Sequence, residues 1–95
     1  MRITSSILEE SVNRLNKKLG LEPPYAMQDN GSFKYNVNSF ILNNMKPGNT
    51  RLFKLAQISN EAGGERDISE WMSNKEMLAY LNGMHDMLML QKELQ

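Results

Sequence analysis

The chain has no cysteine, and that absence removes disulfides, thiolate zinc sites, iron–sulfur clusters and cysteine nucleophiles from consideration. Only one histidine, His85, is present, so an imidazole metal site or acid–base pair would have to recruit carboxylates from other elements. Neither sign of charge prevails, since eleven basic side chains balance eleven acidic ones. A neutral chain lacks the long-range pull that a strongly basic protein exerts on phosphate backbones. The longest apolar runs, Met77 to Leu81 and Met87 to Leu90, are five and four residues long, against roughly 20 for a helix that crosses a bilayer. Met1 to Leu8 includes Thr4, Ser5 and Ser6 and leads into Glu9 and Glu10, unlike the apolar stretch of an export signal. From these absences we expect a protein of the reducing cytoplasm, with no membrane association, no metal and no cofactor.

What is present suits one folded domain. The 95 residues are 40% hydrophobic and 23% charged, enough apolar surface for a single modest core. The charges are unequally placed. Residues 1–60 carry eight basic and four acidic side chains, and residues 61–95 carry three basic and seven acidic ones. Such asymmetry suits either solvated surfaces or partner-binding faces of opposite sign.

Leu8, Val12, Leu15 and Leu19 recur at helical spacing and predict a helix from about Thr4 to Leu19. Either Thr4, with an Ile3–Leu8 staple, or Ser6, with Glu9 closing a capping box, could start it. Lys17, Lys18 and Gly20 suit its end, before Pro23 and Pro24. Phe33, Tyr35 and Val37 alternate with polar residues as in a half-buried strand, and the alternation then slips, so that Phe40 and Leu42 continue it after a turn or bulge at 36–39. The segment from Met45 to Thr50 reads as a hairpin connection into a third strand from Arg51 to Ser59, apolar on both alternating faces and so either central or covered on both sides. After a long loop from Asn60 to Met72, Ser73 and Glu76 form a capping box and Met72 and Met77 a staple at the start of the last helix. The expected fold is α+β: a helix, a three-stranded antiparallel sheet and a second helix, with both helices on one face. Leu8, Leu15, Leu55, Leu81 and Leu88 should supply the core at roughly 1.5 to 3 kcal/mol each, joined by Phe53 and Trp71.

No catalytic constellation assembles from these residues, and we expect no enzyme. Glu61, Glu65, Asp67 and Glu70 lack the alternating ligand pattern of a calcium loop. Gly63 and Gly64 stand beside carboxylates that would repel phosphate, so they are better read as a turn. Double-stranded RNA-binding domains share the expected element order, but they begin their second helix with a lysine cluster, where this chain has Ser73-Asn74-Lys75-Glu76. A nucleic-acid surface would have to come from Arg14, Lys17, Lys18, Lys46 and Arg51, with Tyr35 or Phe40 for stacking. The final helix offers a different surface. Met87-Leu88-Met89-Leu90 covers every side of a helical turn, so part of it must lie off the core. Met84, Met87, Leu90 and Leu94 are therefore candidate partner-binding residues, with a protein partner or a second copy of the chain as occupant. The acidic group Glu61, Glu65, Asp67 and Glu70 is a second candidate surface.

Asn60-Glu61-Ala62-Gly63-Gly64, Asp67-Ile68-Ser69, Lys75-Glu76 and Tyr80-Leu81-Asn82-Gly83, together with Ile3-Thr4, Arg14-Leu15-Asn16 and Leu19-Gly20-Leu21, resemble segments of short uncharacterised accessory proteins of tailed bacteriophages and prophages. The stretch Asn44-Met45-Lys46-Pro47-Gly48 and the methionine-rich end depart from that group. The resemblance implies a phage-encoded protein of the bacterial host cytoplasm that binds a host protein, in the manner of a host-takeover or anti-CRISPR-like inhibitor.

Overall fold

A computed structural model describes residues 2–93. Helix α1 spans Ser5–Lys18. Thr4 is its N-cap, with Oγ1 accepting from the Ile7 N–H at 3.3 Å. At the other end Gly20 takes φ +71°, and its N–H reaches the Lys17 carbonyl while that of Leu21 reaches the Asn16 carbonyl. That pair of bonds is a Schellman ending, which needs a residue without a Cβ penalty at Gly20. Helix α2 spans Asn74–Glu93. Its capping box is reciprocal, since Glu76 N–H donates to Ser73 Oγ at 3.2 Å and Ser73 N–H donates to Glu76 Oε1 at 3.0 Å.

Between the helices run five strands: β1 Tyr25–Met27, β2 Phe33–Tyr35, β3 Phe40–Met45, β4 Leu52–Ile58 and β5 Glu65–Asp67. The expected single sheet needs correction. The three-stranded antiparallel sheet is β3-β4-β5 with β4 central, and β2 pairs instead with β1 in a separate two-stranded hairpin. The slip in alternation has a local cause. Asn38 sits at φ +77°, donates its N–H to the Ile58 carbonyl, and Ser39 accepts from the Ile58 N–H. Two residues facing one, the first left-handed, make a β-bulge that redirects the chain from β2 into β3. The long expected loop holds β5, and Gly63, at φ +93°, forms the turn into it, as read from the glycines.

The register pairs Leu42 with Leu55 and Asn44 with Phe53, so Phe40, Leu42, Phe53 and Leu55 share one face of the sheet. They form one buried cluster with Leu8, Val12 and Leu15 of α1 and Met77 and Leu81 of α2, so both helices pack on that face. Two apolar expectations are corrected. Trp71 is 39% exposed rather than in the core, and Phe33 is 52% exposed rather than half-buried. Trp71 is held at the surface by the Lys54 ammonium, 4.8 Å from its ring centre, and Phe33 lies on a hairpin with no layer above it. The molecule is accordingly extended, with a Cα radius of gyration of 14.3 Å against about 12 Å for a compact domain of this length.

Candidate partner-binding surfaces

Helices α1 and α2 are joined at the buried Ser11 and His85. His85 Nε2 lies 3.1 Å from the Ser11 carbonyl oxygen and 3.1 Å from Ser11 Oγ, and Nδ1 lies 2.9 Å from Lys18 Nζ. A carbonyl only accepts and an ammonium only donates, so Nε2 carries the proton and Nδ1 the lone pair. Burial holds the imidazole below its ordinary pKa, against the Ser11 carbonyl, which favours the charged form; Lys18 and Arg14 lower it further. The nitrogen facing the Ser11 hydroxyl is thus already protonated and cannot take a proton from it. The pair is a helix-to-helix tie, not a nucleophile with its base.

Beside this tie lies an apolar groove of about 470 Å³, lined by Leu15 of α1, its C-cap Leu19, and Tyr80, Gly83, Met84, Met87 and Leu88 of α2. The candidate residues divide here. Met84 is half-buried and packs on the core, whereas Met87 is 58% and Leu90 50% exposed. Leu94 lies outside the described residues. Leu19, Tyr80 and Gly83 complete the groove and were not among the sequence candidates. For the two α2 residues the signal was present in the spacing, because Tyr80, Gly83, Met87 and Leu90 fall at alternating intervals of three and four, the seam of a helix that packs along another helix. Gly83 has open space where a Cβ would be.

The acidic candidates do not form one site. Asp67 pairs with Lys54 at 3.0 Å, Glu65 accepts from Asn43, and both project from β5 on the sheet face away from the helices, with Glu61 and Glu70 exposed on the flanking turns. Among the described residues no group of three or more histidine or carboxylate side chains is placed to hold a metal ion. The basic candidates are split as well. Arg51 donates to Asn44 and lies with Thr4 and Ser5 at the start of α1, and Lys46 is in the adjoining turn. Arg14, Lys17 and Lys18 lie near its end, about 14 Å or more along the axis, with Lys18 turned in to His85.

An aromatic surface was missed. In the β1–β2 register Tyr25 faces Tyr35 and Met27 faces Phe33, so all four side chains lie on one face of the hairpin. The Tyr25 and Phe33 rings meet edge to face at 5.9 Å, while Met27 is 69% exposed. Tyr35 anchors the hairpin, its ring so close over Gly63 that an added Cβ would stand 2.9 Å from it.

No protein-family model, curated protein or solved structure matches this chain. Among the described residues no helix is long and apolar enough to cross a membrane.

Proposed function

We propose that this is a phage-type accessory protein that acts in the bacterial cytoplasm by binding a host protein, as a host-takeover or anti-defence inhibitor, and that the α1–α2 groove receives an amphipathic helix of that partner. The observation that carries this reading is the groove itself, walled by apolar side chains of two helices, with the exposed Met87 on its rim and the exposed Leu90 three residues further along α2. Methionine thioethers adapt to the shape of an incoming apolar face, and a groove between helices is a common seat for a partner helix. The split of the basic side chains between the two ends of α1 weighs against the nucleic-acid alternative, which needs a continuous positive track.

The test is affinity capture of the tagged protein from nuclease-treated host lysate, in parallel with the variant Met87→Glu/Leu90→Glu. One stoichiometric host protein held by the wild type and lost from the variant supports the reading. Equal capture by both assigns the partner to another surface, and contacts that vanish with nuclease favour nucleic acid. Sedimentation of the purified protein separates a second copy of the chain, paired along the same helix, from a foreign partner.

A further inference from the structure

The outer edge of β3 is open, and its backbone is set out for another strand. Ile41, Asn43 and Met45 lie opposite Ala56, Lys54 and Leu52; on the far side of β4 the backbone groups of Phe53 and Leu55 bond Met72, Ile68 and Ser69. Antiparallel ladders alternate strictly in this way, so the N–H and C=O of Phe40, Leu42 and Asn44 point outward from β3. Phe40 proves the direction. Its N–H donates to Asn16 Oδ1 at 2.7 Å and its carbonyl accepts from Asn16 Nδ2 at 3.0 Å, so the Asn16 amide stands where one peptide unit of a neighbouring strand would. Among the described residues nothing pairs with the corresponding groups of Leu42 and Asn44. The strand has neither proline nor a charged residue from Phe40 to Met45, the usual protections of a free edge.

A groove of about 320 Å³ lies along the Phe40 to Leu42 part of this edge, walled by Glu9 and Asn13 of α1 and by Pro24 and Tyr25. We infer that it is a peptide-binding slot: an extended segment of a partner protein adds to β3 as a fourth strand, hydrogen-bonding Leu42 and Asn44 and laying an apolar side chain beside Tyr25 and Pro24. Glu9 at the rim selects against an acidic segment. A lone extended segment fits better than a second copy. Because Asn16 reaches the outward groups of Phe40, α1 stands at the edge; antiparallel pairing of two β3 edges would bring two helices about 10 Å wide to strands about 4.8 Å apart. This site is independent of the α1–α2 groove.

The probe is a displayed library of random octapeptides selected on the intact protein, followed by synthesis of the best binder. Binding should protect the Leu42 and Asn44 amide protons from exchange. It should weaken at least about tenfold, the loss of one to two backbone hydrogen bonds, when alternate peptide nitrogens of the binder are methylated. Asn44→Pro should do the same, because the Asn44 N–H lies outside the ladder and proline is tolerated at such edge positions. Met87→Glu/Leu90→Glu should leave peptide binding unchanged. The proposal is overturned if no peptide is selected, if N-methylation has no effect, if binding depends on Met87 and Leu90, or if the protein alone is a dimer with Leu42 and Asn44 already protected.

Discussion

Asn16 and His85 are polar side chains that do structural duty in the interior, and each gives a measurable consequence. Replacing Asn16 with alanine leaves the Phe40 N–H and C=O without their partner under α1, and two orphaned groups should cost on the order of 2–3 kcal/mol in a urea titration. His85 makes stability depend on pH. The unfolded imidazole takes up its proton near pH 6.5, and the folded one only at lower pH. The unfolded state therefore binds more protons in that interval. Stability that is complete above about pH 6.5 is lost as the pH falls through the folded-state value, when the Lys18 ammonium also faces an imidazolium in place of a lone pair. Comparing urea midpoints of the wild type and His85→Gln across pH 8 to 5 isolates this contribution; parallel curves for the two proteins would remove His85 from the account. Asn38 carries a third residue-scale prediction. At φ +77° an alanine should cost about 1 kcal/mol and a glycine nothing or less, read as a shift in melting temperature.

At the scale of elements, the two helices and strands β2, β3 and β4 were legible, and strands β1 and β5 were not. Helices announce themselves twice, by an apolar period and by caps, and Thr4, Gly20, Ser73 and Glu76 are all found in those roles. Ser73→Ala should destabilise the protein by about 1 kcal/mol, since it leaves the Glu76 N–H without its acceptor. Glu76 is held below its ordinary pKa by the Ser73 backbone first and the Ser73 hydroxyl second; the variant removes only the hydroxyl, so Glu76 should move part of the way back toward its ordinary value, as NMR of the carboxyl would show. Strand β5 reads Glu-Arg-Asp, with no apolar residue to reveal a period; it exists because its backbone completes β4. Strand β1 reads Tyr-Ala-Met, apolar at every position, so it shows no alternation to recognise. Missing both moved β2 into the wrong sheet. That the far side of β3 stays open was not legible for a related reason, because it depends on β2 pairing with β1 instead.

For the whole molecule, the candidate surfaces lie on different sides of one small core, and they differ in how far the core depends on them. Met84 touches the core, so Met84→Glu would confuse loss of binding with loss of folding, whereas Met87 and Leu90 are exposed. The variant Met87→Glu/Leu90→Glu should keep its helical circular dichroism and its melting temperature within a few degrees, as surface changes do, while losing association through α2. Leu81→Ala, at the centre of the cluster, should by contrast cost 2–5 kcal/mol. The sequence disclosed which helix carries surplus apolar surface. It did not disclose that α1 contributes Leu15 and Leu19 to the same groove, because helix-to-helix proximity is a property of the packed chain.

The hairpin of β1 and β2 has a consequence for how this protein changes over generations. It adds no side chain to the buried cluster, so substitutions at Tyr25, Met27 and Phe33 leave the core intact and bear on folding only through the hairpin's own ring contacts. Met27, 69% exposed and without a ring partner, is the position where a retained large apolar residue would report what the hairpin meets. Relatives that vary Tyr25, Met27 and Phe33 freely while holding Leu8, Leu55 and Leu81 have inherited a scaffold with an interchangeable tip.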